Sequence, residues 1–505
     1  MTESIPEHLR MALGQCFWIG INGTDADDTY TKEIFSKFQP GGIVLFQRNV
    51  ESIRQVTSLN SGLQKKSGVP LFLAVDQEGG TVERLHKLIG TIPPAMALSA
   101  TGNPKLARRI HESHALLLRA LGFNVNFTPV MDLALQNADN GLGTRCFSND
   151  PRLVTRYAHE VLKAHLGAGV LPCGKHFPGL GDTDLDSHLA LPRVARPWKQ
   201  IVREDLVPYK KLLKNLPFIM INHALYPEKN RKMPASLSRE IVTEFLLKNW
   251  NYQGFAISDD LIMGAVSNIY GLAEACEKAL EAGNHLFLIC RPEEVVQAFE
   301  VLLKKVHKNA ALRNAVLENS VKILSYKFQH LRPENRQISV NREIKRMKKR
   351  SQEAAEKALT LLHGHPLQNV PDECTVFQSR SKWAVDGDNA LSQYLQKRGA
   401  RTTQHLFATQ LTDDEAVSPA SASQTEWNVV IVTNPSYCSG QKKLIEELVR
   451  AGKKVAVIGG AFPPDKLPDD VALVISAYWS SPAALDAAAK AMLGEIKLKG
   501  RTPLR

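Results

Sequence analysis

The run Lys175-His176-Phe177-Pro178-Gly179-Leu180-Gly181-Asp182-Thr183-Asp184-Leu185-Asp186-Ser187-His188 gathers two histidines, a lysine and three aspartates around glycines and a proline. An apolar stretch, Gly169 to Cys173, leads straight into it, as a buried strand leads into an active-site loop. In an extended loop residues i and i+2 point the same way. Asp186 is therefore placed to hold the His188 ring and stabilise its protonated form. A histidine of ordinary pKa, about 6.5, suits giving and taking a proton near neutral pH.

Two other stretches offer chemistry. Ala256-Ile257-Ser258-Asp259-Asp260-Leu261 is an apolar run ending in two carboxylates. A helix N-cap needs only one aspartate, which leaves the other for a reaction or a ligand. Ala74-Val75-Asp76-Gln77-Glu78-Gly79-Gly80 ends in a double glycine that permits close backbone approach to a ligand. Asp76 can accept two sugar hydroxyls as a charged acceptor, and Arg84 and Arg145 can donate to them. Taken alone, each arginine reads equally as a packing salt bridge. His176, His188, Asp186 and Asp259 have ligand chemistry for a metal. No HExxH or comparable spacing joins them, and Lys175 beside them repels a cation. The expectation is no metal and no cofactor. A carboxylate nucleophile, a separate proton donor and polar clamps together describe retaining glycoside hydrolysis, here with a histidine as donor.

The elements that must position these residues recur regularly. Short apolar runs, rich in β-branched and aromatic residues, occur at Gln15–Ile21, Gly41–Phe46, Pro70–Asp76, Phe123–Val130, Gly169–Phe177, Phe218–Ala224, Gly254–Asp260 and His285–Cys290. Amphipathic stretches such as Asp150–Leu166, Pro197–Lys214 and Ser238–Asn249 lie between them and read as helices. Strands alternating with helices through eight units predict a (β/α)8 TIM-type barrel. Asp76, Lys175, His176, His223, Asp259 and Asp260 all fall at C-terminal strand ends, where such barrels place their chemistry. A helix from about Pro292 to Lys308 and another to Leu331 close this part. Pro333 and the basic run then mark a linker. From about Lys357 a smaller α/β sandwich domain is expected. Its strands are Thr375–Gln378, Asn428–Thr433, Lys454–Gly459 and Ala472–Ala477, its helices include Gly440–Ala451 and Ala483–Leu493, and Asp413–Thr425 reads as a polar surface loop. The expected domains are 1–331, a basic linker or helix over 332–356, and 357–505. No GxGxxG turn marks a dinucleotide site.

The 505-residue chain carries a net charge of +12 and a pI of about 9.2. Leu331–Arg505 holds 25 basic and 19 acidic residues, and Leu331–Arg350 alone holds 8 and 2. One short run thus carries the whole excess of the C-terminal part, as a solvated helix face does. No motif for nucleic acid accompanies it. The seven cysteines are scattered, with no CxxC spacing, and read as free thiols of a reducing compartment. The N-terminus shows no basic segment followed by an apolar one, and no apolar run has membrane length. A cytoplasmic location, a small-molecule partner and no membrane contact are expected. The oligomeric state is open.

These motifs together resemble glycoside hydrolase family three, and within it the bacterial β-N-acetylglucosaminidases. The resemblance covers Gly14 to about Pro292. It rests on Gly41-Gly42-Ile43-Val44-Leu45-Phe46, Asp76-Gln77-Glu78-Gly79-Gly80, Lys175-His176-Phe177-Pro178-Gly179, Asp186-Ser187-His188, Pro234-Ala235-Ser236-Leu237-Ser238 and Ser258-Asp259-Asp260-Leu261. Ala477-Tyr478-Trp479-Ser480-Ser481-Pro482 and Gly494-Glu495-Ile496 resemble the family's second domain more weakly. The resemblance implies Asp259 as nucleophile and His188 as acid/base tuned by Asp186. It implies Asp76, Arg84, Arg145, Lys175 and His176 as ligands of a terminal N-acetylglucosamine. It further implies an exo-acting retaining β-N-acetylglucosaminidase acting on muropeptides in peptidoglycan recycling. Phosphorolysis of the same glycosides and non-catalytic sugar binding are the alternatives. Family members usually carry His where Leu180 stands and Arg where Thr81 stands. The Leu180 difference bears on loop closure and on contacts with the leaving group.

Overall fold

The computed structural model describes residues 5–135, 140–183, 191–331, 337–380, 389–408, 410–433 and 438–505. Eight parallel strands close into a barrel. They are β1 (Phe17–Gly20), β2 (Gly42–Leu45), β3 (Phe72–Val75), β4 (Val125–Asn126), β5 (Leu171–Phe177), β6 (Phe218–Ile221), β7 (Phe255–Asp260) and β8 (Leu286–Ile289). Each pairs with its sequence neighbours, and β1 pairs with β8. The strands are short apolar runs because a parallel barrel covers both faces of each strand. Trp18, Phe72 and Phe218 fill the interior, with ring centroids 4.9–5.4 Å apart. The barrel is a packed core.

Helices α1 (Pro104–Ala120) and α2 (Pro151–Gly167) cover the outside between β3 and β5. Asn103 and Asp150 cap them, their side chains accepting from Leu106 N and Arg152 N, and each has proline at its first position. The amphipathic segment Pro197–Lys214 is not one helix. It breaks into Trp198–Arg203 and Val207–Leu212, because Asp205 turns inward to meet Arg196 and Pro208 restarts the helix. The segment Glu240–Asn249 is wound as a π-helix.

The basic run does not behave wholly as a solvated linker. Val340–Ala358 forms helix α3, which packs against α1. Its Glu343, Met347, Ser351 and Ala354 are buried, and Ser113 Oγ donates to Glu343 Oε2 at 2.8 Å. Lys345, Arg346, Lys348 and Lys349 are exposed, while Arg350 turns back to donate to Ser113 Oγ at 3.0 Å.

The remainder builds a six-stranded sheet from β9 (Thr360–Gly364), β10 (Glu373–Arg380), β11 (Arg401–Ala408), β12 (Trp427–Val432), β13 (Lys454–Gly459) and β14 (Leu473–Ser476). The order is β9-β14-β13-β12-β10-β11, with β9 antiparallel and the rest parallel. The edge strands β9 and β11 are absent from the sequence-based reading. Asp413–Thr425 is also not a loop throughout: Asp413–Ala422 is helical. Thr412 and Glu415 cap it reciprocally, Glu415 N donating to Thr412 Oγ1 and Thr412 N to Glu415 Oε2. Met96, Ala97 and Ala100 of the barrel pack with Ala358 and Tyr478 in one small core that joins the two parts.

Candidate active site

The charged groups of the rim come from different strands. Asp76 follows β3, and Gln77–Gly79 pairs with Val82–Glu83 as a small hairpin beyond it. Gly79 and Gly80 take φ of 114° and 62°, and a Cβ on Gly79 would lie 2.8 Å from the Pro93 carbonyl. Glycine is required there by both space and conformation. Lys175 and His176 lie within β5, whose register against β6 shifts between Gly174 and Phe177. A bulge of this kind re-aims side chains. The Lys175–His176 and Phe177–Pro178 peptides are cis.

Lys175 Nζ donates to Asp76 Oδ1 at 2.7 Å and meets Glu78 Oε1 at 2.6 Å. Arg145 grips Glu78 with both arms, Nε to Oε2 and Nη2 to Oε1, each 2.9 Å. Arg84 Nη2 lies 3.8 Å from Asp76 Oδ2, its guanidinium over the Phe46 ring. Burial alone would push the Glu78 carboxyl up. Arg145 and Lys175 overcome this and hold it far below the usual carboxylate range. Burial likewise opposes the charge on Lys175, but Asp76 and Glu78 raise its pKa on balance. Glu78 is therefore held as a carboxylate and Lys175 as an ammonium near neutral pH.

His176 is oriented from behind. Its Nδ1 lies 2.7 Å from Asp132 Oδ2, and its backbone N–H donates to the same oxygen at 3.0 Å. Asp132 Oδ1 accepts from Leu180 N at 2.8 Å. A carboxylate beside Nδ1 requires a proton there and leaves Nε2 for a second partner. That nitrogen faces Arg145 Nη2 at 3.5 Å. Leu180 is buried in the apolar core and its carbonyl accepts from Asn140 and Thr183, while Thr81 is exposed.

On the far side of the rim, β7 ends at Asp259 and Asp260. Asp260 is the structural member of the pair: its Oδ1 accepts from Cys290 N at 3.0 Å and Ile262 N at 3.3 Å. Burial pushes its carboxyl up to about 6, against those hydrogen bonds. Asp259 Oδ1 accepts from Asp260 N at 2.9 Å. His223, at the end of β6, reaches the Asp260 carbonyl through Nε2 at 3.0 Å, and its Nδ1 meets Ser236 Oγ at 2.6 Å. Ser236 of the Pro234–Ser238 motif thus sets the histidine that steadies the end of β7. Asp76, Lys175 and Asp259 thus stand at or beside the C-terminal ends of β3, β5 and β7, at one end of the barrel.

Of the residues singled out from sequence, Asp76, Arg84, Arg145, Lys175, His176 and Asp259 therefore share this rim. Asp186 and His188 lie outside the described residues. The segment that leads to them is tied down at its base: Arg196, 14% exposed, pairs with Asp182 at 3.2 Å, Glu204 at 3.0 Å and Asp205 at 2.7 Å. Glu78, Asp132 and Arg196 were not assigned roles by the sequence reading. Asp132 carried a usable signal, since it closes an apolar run as Asp76 and Asp259 do.

A model of the glycosyl hydrolase family 3 N-terminal domain matches residues 8–325. A beta-hexosaminidase of Nitrosomonas eutropha is 34% identical over 286 residues, 55% of this chain and 81% of that one. Beta-hexosaminidase A of Pseudoalteromonas piscicida is also 34% identical over 286 residues, but this chain spans only about half (47%) of its length. A solved family 3 beta-N-acetylglucosaminidase from Paenibacillus sp. str. FPU-7 superposes with a TM-score of 0.88. It is 28% identical and covers 98% of both chains. The family model thus spans the barrel, and similarity of fold extends over both parts.

Proposed function

The chain belongs to glycoside hydrolase family 3, and from that premise we propose that it is an exo-acting, retaining β-N-acetylglucosaminidase. Asp259 attacks the anomeric carbon, forming a C–O bond to the enzyme as the glycosidic C–O bond breaks. Protonated His188, held by Asp186, gives its proton to the leaving oxygen. Neutral His188 then takes a proton from water as that water displaces Asp259. Asp76 accepts from ring hydroxyls, and Lys175, His176, Arg84 and Arg145 complete the sugar pocket. Residues 1–331 are the catalytic unit in this reading and 357–505 an α/β sandwich beside it.

The observation that carries the reading is the charge-balanced cluster of Asp76, Glu78, Lys175 and Arg145 on the barrel rim that also bears Asp259. Such a rim sets charged donors and acceptors side by side, which suits directional hydrogen bonds to the hydroxyls of a sugar. Substrates with terminal N-acetylglucosamine follow from the names of the relatives, and muropeptides released in peptidoglycan recycling are the proposed natural source. Seven cysteines without a disulfide support a reducing, cytoplasmic setting. Among the described residues no helix is long and apolar enough to cross a membrane.

The deciding experiment is trapping with a 5-fluoro N-acetylglucosaminide that carries a good leaving group, followed by peptide mass spectrometry. An adduct on Asp259, absent from Asp259→Ala, is the expected result. An adduct elsewhere removes Asp259 as nucleophile, and no adduct with no turnover leaves a sugar-binding protein. Running the turnover assay with and without phosphate distinguishes hydrolysis from phosphorolysis by the product.

A further inference from the structure

Behind the sugar-side hairpin, α1 and α2 face each other across a cluster of imidazoles. His111 and His114 stand three apart on α1, hence on one face, and His165 stands on α2. All three are buried, with exposures of 2%, 0% and 0%. Ring centroids lie 5.5 to 6.2 Å apart, and one nitrogen from each ring can be chosen so that all lie within 4.8 Å of one another. Nδ1 of His111 and both nitrogens of His114 have no hydrogen-bond partner. A neutral imidazole carries one N–H donor and one lone pair, so His114 leaves both unsatisfied. Buried polar atoms of this kind are rare, and an ion or water is their usual explanation.

From this geometry we propose that His111, His114 and His165 form a binding site for a divalent transition metal, zinc by donor type, separate from the sugar site. Three imidazoles on a four-coordinate zinc, at about 2.0–2.1 Å per bond, hold their nitrogens about 3.4 Å apart and their ring centres about 5.2 Å apart. The observed centroids are within about 1 Å of that arrangement, a gap that small side-chain rotations close. Burial pushes His114 down to about 3 and His165 down to about 4, and drives His111 in the same direction. The rings are therefore neutral near pH 7, the form that binds metal. His165 Nδ1 is fixed by the Val161 carbonyl at 2.9 Å, which leaves Nε2 as the ligand atom. Asn126 Nδ2 donates to that nitrogen at 3.1 Å and to the Gln77 carbonyl at 2.9 Å. Binding replaces the first of these bonds and keeps the second. Gln77 precedes Glu78, and His111 lines a small cavity with Glu78, Gly79 and Arg145. The metal would thus tie α1 to α2 directly beneath the hairpin that carries the sugar-side carboxylates.

The test is stoichiometric and does not depend on turnover. The full chain is stripped with chelator, dialysed against micromolar Zn2+, and bound metal is counted by mass spectrometry. The wild type is expected to retain one equivalent more than His114→Leu, and a melting temperature raised by at least about 2 °C only in the wild type. Co2+ should give visible absorption bands of a low-coordinate site in the wild type and lose them in His114→Leu. Metal bound at exposed histidines is unchanged by the substitution. Equal zinc in both proteins, or less than one equivalent in the wild type, overturns the site and leaves the imidazoles holding water. Should His114→Leu fail to fold by circular dichroism, His111→Gln replaces it in the same comparison.

Discussion

Glu78→Gln is the most informative single change on the rim, because it alters one charge and almost no volume. Glu78 faces Lys175 at 2.6 Å and Arg145 at 2.9 Å, with side-chain exposures of 5%, 3% and 15%. The substitution takes one negative charge from the cluster and leaves Lys175 and Arg145 facing one buried carboxylate fewer. Removing one partner of a buried ion pair costs about 3–5 kcal/mol. Asp76 still holds Lys175 at 2.7 Å, and the glutamine carbonyl can still accept one N–H. The expected loss is therefore at the lower end, about 3 kcal/mol at pH 7. It should appear in the chemical-denaturation transition that unfolds the barrel. The chain has two packed parts, so that transition must be followed by a barrel probe rather than as one two-state curve.

The pH dependence gives an independent check. The folded-state pKa of Glu78 is depressed, so its stabilisation is fully present above the unfolded value of about 4.3 and fades as the pH falls below it. The difference between wild type and Glu78→Gln should accordingly shrink on acidification and be nearly constant from pH 6 to 8. The freed cations should also shift, raising KM for a chromogenic N-acetylglucosaminide by roughly tenfold or more through misplacement of the sugar. A variant within about 1 kcal/mol of wild type, with unchanged KM, would refute the claim that Glu78 balances this cluster.

Asp132→Asn removes the charge that fixes His176. Steady-state kinetics should show kcat/KM down by about 10- to 100-fold, and restoration by Asp132→Glu would argue for the carboxylate itself. Arg196→Gln leaves the buried Asp205 without its cation, and burial already pushes that carboxyl up to about 6. A stability loss of about 2–4 kcal/mol is expected by thermal or chemical denaturation. A fall in kcat is also expected, since Asp182 at the base of the His188 segment loses its partner. Asp260→Asn tests the opposite sign. A raised folded pKa of about 6 means that wild-type stability falls as pH rises from about 4 to 6. The variant should lack that decline, gaining up to about 2 kcal/mol relative to wild type across the window when denaturation is measured at each pH.

The barrel strands were legible because each is buried on both faces. Phe72–Val75, Phe218–Ile221 and Leu286–Ile289 are continuous apolar runs, and no helix of that length competes for them. The second sheet was half legible for the complementary reason. Its central strands read the same way, whereas its edges do not. Arg401–Ala408 is exposed or half-buried at every position but Phe407, and Thr360–Gly364 leaves Leu361 and Leu362 39% and 37% exposed. Asp413–Ala422 hid behind Ser and Pro residues that usually mark loops, although the Thr412/Glu415 box that starts it was present in the sequence.

The site divides along a different line. The candidate ligand groups sit at strand ends or in glycine-marked turns, so position and residue type single out Asp76, Lys175, His176 and Asp259. The groups that make those residues usable answer a charge or a lone pair across the rim. Sequence separation carries no trace of that pairing: Glu78 meets Arg145 across 67 residues, Asp132 meets His176 across 44, and Lys175 meets Asp76 across 99. A rim with Lys175 and Arg145 but no Glu78 would leave Arg145 without its buried carboxylate, since Asp76 is already taken by Lys175. A buried cation at a barrel mouth thus requires an anion from another strand, and each strand-end Asp or Glu is a candidate for that role. Applied to this chain, the requirement points to Glu78 for Arg145, and the same reasoning makes Asp132 the fixed point about which His176 and Leu180 are set.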